Sequence, residues 1–254
     1  MREVLYGRHA VYEALRAGRR PFYKLTLVRG IRDSDVVDQI SNLAEQAGVP
    51  IQRAERYEFD RFGSFSHQGV VLEAGEYPYV PVENLLRIAT TRDSPPLFLL
   101  LDLLQDPHNV GALLRTAEAA GVTGVVIQKR RAVDVTPAVV HTSVGAVEHL
   151  AVAQVTNLVR AMGWLKEQRV WIAGMEAQRG AQPYYEADLM GPLAVVVGSE
   201  GKGMRRLVRE SCDFLLHLPM LGHVSSLNAA VAGSVVLYEA LRQRRAAQCG
   251  VGDS

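Results

Sequence analysis

Three short stretches hold polar residues in unusual company. In DPHNVGALLRTAEAAG (106–121), a helix rich in alanine and leucine carries Asn109 at its mouth and Arg115 further in. In VVVGSEGKGMRRL (195–207), an apolar run breaks into three glycines around Glu200 and then turns basic. In LPMLGHVSSLNAAVAGSVVLYEAL (218–241), Ser225 or Ser226 can cap a helix whose first turns hold Asn228 and a run of small residues. Smallness alone would be helix packing, but Asn228 in the first turns argues against that, because a buried or half-buried amide needs partners. Amides, a carboxylate and a guanidinium held together can orient a polar substrate and stabilise charge that develops on it.

The familiar alternatives fail on spacing. A Walker loop needs Ser or Thr after Gly-Lys, and Lys202 is followed by Gly203. The glycines of GSEGKG sit at the wrong offsets for a dinucleotide loop. His108, His217 and His223 tempt a general-base or metal assignment, but one pair of histidines does not make a zinc site. They are read as structural or supporting residues, and no metal is expected. No S-x-x-K, G-x-S-x-G or Cys/His arrangement suggests hydrolysis.

Each stretch follows an apolar run: LFLLLD, LAVVVG and DFLLHL. With GVVIQ and RVWIAGM between helical stretches, these runs predict a mostly parallel α/β sheet covered on both faces. Ligands then bind beyond the carboxyl ends of the strands. Residues 1–75 read as a separate small α/β unit. Its first helix, GRHAVYEALRAG, buries Val11, Tyr12 and Leu15 and stops at Gly18. A second helix is capped by Ser34 and closed by Gly48. FYKLTLV and HQGVVLEA are its strands, and the loop FDRFGSFSHQG offers Arg61, Ser64, Ser66 and His67 either to a ligand or RNA or to ordinary packing. The proline-bracketed residues 76–95 read as a linker, 96–247 as the second domain and 248–254 as a frayed tail. A fragment starting near Thr91 is expected to fold.

The 254 residues include 48% hydrophobic and 22% charged side chains, which fits a soluble chain with a substantial core. Two cysteines, Cys212 and Cys249, give neither a disulfide framework nor a metal cluster. No apolar run is long enough for a membrane span and no signal peptide opens the chain, so a cytoplasmic protein is expected. A net charge of +1 neither supports nor excludes nucleic acid. Three local basic clusters matter more: Lys129–Arg131, then Lys202 with Arg205, Arg206 and Arg209, then Arg242 with Arg244 and Arg245.

The three stretches resemble the motifs of the SpoU/TrmH class of RNA 2′-O-ribose methyltransferases, in the SPOUT superfamily. The form N-x-G-x-x-x-R-x-A-x-x-x-G is met by Asn109, Gly111, Arg115, Ala117 and Gly121, and the other two motifs follow in order. LYGRHAVYEALRAG and HQGVVLE are similar to that family's ribosomal-protein-like substrate-binding domain. The whole is most similar to the bacterial enzymes that methylate a guanosine ribose in 23S rRNA.

The resemblance implies a SPOUT-type sheet closed by a C-terminal trefoil knot, which strand patterns alone never justify. It implies S-adenosylmethionine bound at Gly198, Leu218 and Leu227 with Met220 alongside, no metal, and a homodimer with its site at the subunit interface. Arg115 takes the family's catalytic position, with Asn109, Glu200, Ser226 and Asn228 around it. Arginine is an awkward base, because a free guanidinium keeps its proton beyond about pH 12. It either becomes activated for proton removal or clamps RNA phosphate, and Glu200 is a candidate to orient it. The rival readings are another RNA target (a tRNA or a different rRNA site) and an RNA-binding or ribosome assembly factor without transfer activity.

Overall fold

The structure, a computed structural model, describes residues 2–31, 35–62, 66–91, 93–176, 180–224 and 226–250. The chain divides into two compact units: Met1–Pro78 with Val135–His149, and Tyr79–Asp134 with Leu150–Ser254.

In the first unit, β1 (Arg2–Tyr6), α1 (Arg8–Ala17), β2 (Phe22–Val28), α2 (Asp35–Gln46), β3 (Ile51–Ala54) and β4 (Val70–Gly75) follow in order. The strands form a sheet β1-β4-β2-β3, antiparallel except for the β2–β3 pair. The apolar period of α1 buries Ala10, Val11, Ala14 and Leu15, leaves Tyr12 half-buried, and ends at Gly18 in the left-handed region. The expected Ser34 cap lies outside the described residues, as do Gly63 and Ser64 of the aromatic loop. His67 of that loop is committed locally: its Nδ1 accepts from Gly69 N (2.9 Å) and its ring stacks on Phe59.

Residues 135–149, which the sequence reading places in the second domain, belong to this unit through a buried ion network. Arg20 donates to Glu148, to Glu3 (2.5 Å) and to the Gly75 carbonyl (3.0 Å). Arg19 reaches the Tyr77 hydroxyl and the Glu148 carbonyl (3.2 Å each), and Tyr77 Oη donates to Val147 O. Burial pushes the Tyr77 phenol up to about 12, so it stays a hydrogen-bond donor at neutral pH.

The second unit comprises α3 (Val82–Ala89), β5 (Leu97–Asp102), α4 (Pro107–Ala119), β6 (Gly124–Gln128), then, beyond the detour through α5 (Pro137–Thr142), β7 (Val152–Val155), α6 (Leu158–Glu167), β8 (Trp171–Met175), β9 (Gln182–Pro183), β10 (Leu193–Gly198), α7 (Arg206–Glu210), β11 (Phe214–His217) and α8 (Ala229–Gly250). Its sheet runs β7-β6-β5-β10-β8-β11-β9, and every neighbouring pair is parallel. Each residue of β5, β6 and β10 is buried, as strands covered on both faces require. Phe98, Leu100, Val126, Ala194 and Val196 pack with Leu158, Met162 and Leu165 of α6 and with Leu85 of α3. On the opposite face α8 lies so close that a Cβ on Gly233 would stand 2.9 Å from Leu113 and 3.1 Å from Val197.

The segment 76–95 therefore holds more than a linker. Leu85 is fully buried, and Val80 bridges to Ala153. A fragment cut near Thr91 loses both, so Tyr79 is the start that packing requires.

Arg244, counted from the sequence with the basic surface, is a staple instead. Its guanidinium donates to the carbonyls of Pro95 (2.7 Å), Pro96 (3.2 Å), Leu189 (3.2 Å) and Gly191 (2.6 Å), which gather the segments entering β5 and β10. Arg244→Ala leaves these acceptors short of donors and is expected to cost about 2–3 kcal/mol. Urea unfolding measures this, and a loss below about 0.5 kcal/mol, the scale of an ordinary surface change, contradicts it.

Candidate functional site

Chain order creates a crevice. From β5 the chain steps outward to β6 and β7, whereas β10 inserts between β5 and β8 and leads on to β11. Successive connections thus leave the β5–β10 pair in opposite directions, and a crevice opens beyond their carboxyl ends. Asp102 and Gly198 are register partners at those ends. The loops that follow β5, β10 and β11 are the three stretches singled out by sequence.

In the first loop, Asp106 caps α4 by accepting from His108 N (3.0 Å), with Pro107 at the first helical position. This turn aims Asn109 inward and leaves His108 exposed. In the second, Ser199 and Gly203 pair across a tight hairpin. The hairpin folds back on its own strand so closely that a Cβ on Gly198 would stand 2.3 Å from Gly203 C and Met204 N. In the third, Asn228 is the helix cap: its Oδ1 accepts from Ala230 N (2.9 Å) and Val231 N (3.3 Å). This corrects the assignment of the cap to Ser225 or Ser226. Ser225 lies outside the described residues, and Ser226 stands two positions before the cap, lining the cavity described below.

One chain of hydrogen bonds joins the loops. Asn228 Nδ2 donates to Asn109 Oδ1 (2.8 Å), and Asn109 Nδ2 donates to Glu200 Oε1 (2.7 Å). Four of the nominated residues thus divide into a bonded trio, Asn109, Glu200 and Asn228, and a neighbour, Ser226. Arg115 is not among them. It lies exposed on α4 and makes no hydrogen bond or ion pair among the described residues; Glu200 is bonded to Asn109 instead.

Beside the trio opens a cavity of about 740 Å³, within the range of cofactor sites. Gly198, Leu218, Met220 and Leu227 line it, as do Glu200, Ser226 and Asn228. Met175, Glu176 and Leu216, which the sequence does not single out, and His217, read there as a structural or supporting residue, are also in the lining. His217 Nδ1 is buried with no partner among the described residues. His223 is exposed. Apolar walls suit a purine face, the missing side chain at Gly198 lets the hairpin fold against its own strand and form the pocket edge, and carboxylates at Glu200 and Glu176 suit a cationic centre. The residues fit S-adenosylmethionine.

The basic cluster of the second loop is largely spoken for. Arg205 pairs with Asp102 (2.6 Å), Arg206 with Glu210 (3.3 Å) and Arg209 with Glu176 (3.9 Å). Lys202 is exposed. Asp102 was another omission, although an acid closing the otherwise apolar LFLLLD was the signal that could have found it.

Residues 96–238 match the family model described as the SpoU rRNA Methylase family, and residues 4–80 match that for RNA 2′-O ribose methyltransferase substrate binding. The chain belongs to the SpoU rRNA methylase family. A Bacillus subtilis protein, YacO, assigned to the TrmH family of tRNA/rRNA methyltransferases, is 43% identical over 95% of this chain and 96% of its own. The SpoU methyltransferase AviRb of Streptomyces viridochromogenes, solved with S-adenosylmethionine, superposes with TM-score 0.80 at 25% identity, covering 96% of this chain and 91% of its own. A crystal structure of an RNA 2′-O ribose methyltransferase superposes with TM-score 0.76 at 26% identity, covering 96% and 89%. A tRNA-modifying TrmH/SpoU enzyme of A. aeolicus gives TM-score 0.55 at 25% identity and covers 65% of this chain and 85% of its own. This SpoU protein is an S-adenosylmethionine-dependent RNA methyltransferase with a substrate-binding domain in front. Among the described residues no helix is long and apolar enough to cross a membrane.

Proposed function

We propose that the protein methylates the ribose 2′-hydroxyl of one guanosine in 23S rRNA, as a homodimer whose site is completed by the second copy. The observation that carries this reading is the Asn109–Glu200–Asn228 chain beside the apolar cavity, with Arg115 set apart from both. A single copy holds a donor pocket and a hydrogen-bonded floor, and its guanidinium stands free on an exposed helix face. A second copy can present its own Arg115 to the pocket. Exposed apolar side chains support such a partner: Val231 and Tyr238 on α8, and Leu221 and Val224 in the third loop.

The bound cofactor supplies an electrophilic methyl group for direct displacement by the ribose oxygen. The chain's own residues position and stabilise. Leu218, Met220 and Leu227 wall the donor pocket and exclude water. Asn109 fixes the Glu200 carboxylate, while Asn228 keeps Asn109 in register and starts α8. Ser226 offers a hydroxyl at the rim. Arg115 clamps an RNA phosphate through its planar fork and stabilises the negative charge developing on the ribose oxygen, while the hydroxyl proton passes to solvent water. Alignment of oxygen and methyl within this frame provides several kcal/mol by orientation alone.

The front domain favours rRNA over tRNA. The A. aeolicus tRNA enzyme covers 65% of this chain, whereas the substrate-binding model matches residues 4–80 in addition to the methylase region. The test maps 2′-O-methylation across total RNA from cells with and without the protein. One missing methyl on a 23S guanosine is the expected result. A missing tRNA methyl overturns the target, and an unchanged map overturns transfer activity and leaves a binding or assembly role.

A further inference from the structure

Asp102 is completely buried at the carboxyl end of β5, where every other strand residue is apolar. A lone carboxylate there would be costly, and it is met by three N–H groups of one residue. Arg205 donates its backbone N–H to Oδ2 (2.8 Å) and its Nε–H to Oδ1 (2.8 Å), with Nη2 2.6 Å from Oδ1. Gln128 closes the network from the end of β6: with its amide set to satisfy both neighbours, its NH2 donates to Asp102 Oδ1 (3.3 Å) and its oxygen accepts from Arg205 Nη2 (2.8 Å). The ends of the neighbouring strands β5 and β6 and the start of α7 thereby meet in one polar knot of side chains.

The position of Arg205 gives this knot a task. It stands two residues after Gly203, where the second-loop hairpin closes against Gly198, and immediately before the first residue of α7. The hairpin is thus held at both ends. At its tip Glu200 is tied to Asn109, and at its base Arg205 is tied to Asp102. Every residue from Gly198 to Gly203 lines the donor cavity. The base tie uses a rigid guanidinium fork, which fixes orientation as well as distance.

We infer that Arg205 and Asp102, with Gln128, are positioning residues that set the shape of the S-adenosylmethionine pocket, and that Arg205 takes no part in RNA binding despite its place in a basic run. Arg205 acts through Asp102 on the hairpin and touches neither reacting group.

The test compares Arg205→Lys, Asp102→Asn, Arg205→Gln, the Asp102→Asn/Arg205→Gln double variant and the milder Gln128→Leu. Calorimetry with S-adenosylhomocysteine, well below each variant's melting temperature, reads donor-site affinity. A labelled RNA hairpin titrated at several salt concentrations reads the electrostatic footprint. Arg205→Lys keeps the charge and the backbone N–H but loses the fork. It should weaken donor-site binding roughly tenfold, and Gln128→Leu roughly threefold. In the Asp102→Asn background, Arg205→Gln should add less than about twofold, because the partner it acts through is gone. RNA affinity and its salt dependence should stay unchanged throughout. Two results overturn the inference. One is unchanged donor-site affinity in both Arg205→Lys and Gln128→Leu, which reduces the network to a stability element. The other is a salt slope lowered by roughly 0.7–0.9 in Arg205→Gln, which makes Arg205 a phosphate contact. The readouts are equilibrium binding, so they stand whichever nucleotide is methylated.

Discussion

Replacing Arg115 with alanine is expected to lower single-turnover methyl transfer by roughly a thousandfold, about 4 kcal/mol of transition-state stabilisation, with donor affinity held within about twofold. The separation follows from geometry. Arg115 stands exposed on α4, outside the donor cavity and bonded to none of its walls. Its removal therefore leaves the pocket and the Asn109–Glu200–Asn228 chain in place. Arg115→Lys divides the two chemical roles. A lysine keeps the charge without the planar fork, so a phosphate clamp loses RNA affinity and much of the rate. If the guanidinium removes the proton, lysine, with its lower ordinary pKa, sustains transfer that rises with pH. Single-turnover assays on unmethylated rRNA across pH read both. Near wild-type transfer by the alanine variant would return the search to His108 and Glu200.

Gly198→Ala is expected to reduce donor affinity by at least a hundredfold. Its Cβ would stand 2.3 Å from two backbone atoms of the hairpin, so no flexible side chain can give way. Either β10 or the hairpin must move, and both form the pocket. The overpacking should also cost roughly 1–3 kcal/mol of stability. Gly201→Ala is the control. Gly201 has φ of +77° and open space around it, so alanine there meets backbone strain without collision, about 1–2 kcal/mol, and the pocket wall stays in place. Calorimetry on both variants decides. Donor affinity for Gly198→Ala within threefold of the parent would remove the close approach as the reason for this glycine.

The residues of the site were legible because they break local pattern. Asn109 and Arg115 in an alanine-rich helix, Glu200 among glycines and Asn228 before a run of small residues all lack a packing explanation at their own positions. The parallel strands were legible for the complementary reason: β5, β6 and β10 are apolar at nearly every position because both faces are covered. Weaker strands escaped notice. The two-residue β9 sits at the sheet edge and holds Pro183, and β3 pairs on one side only and exposes Gln52 and Arg53. Neither carries an apolar run.

Partnership was decided by tertiary structure. A charge in sequence does not say what it faces. Arg205 and Arg244 read as surface cations, and the fold turns one onto a buried aspartate and the other onto four carbonyls. Glu200 beside a basic run suggested an arginine partner, and the crevice gives it Asn109, 91 residues away. Residues 135–149 read as part of the methylase domain, and the fit of Glu148 to Arg20 assigns them to the first unit. Sequence determines which residues are polar, small or apolar, and so where elements start and which residues lack a local reason. Which long-range neighbours satisfy them follows from insertion of β10 between β5 and β8, because only strand order brings Asp102, Gly198 and Gln128 to one edge.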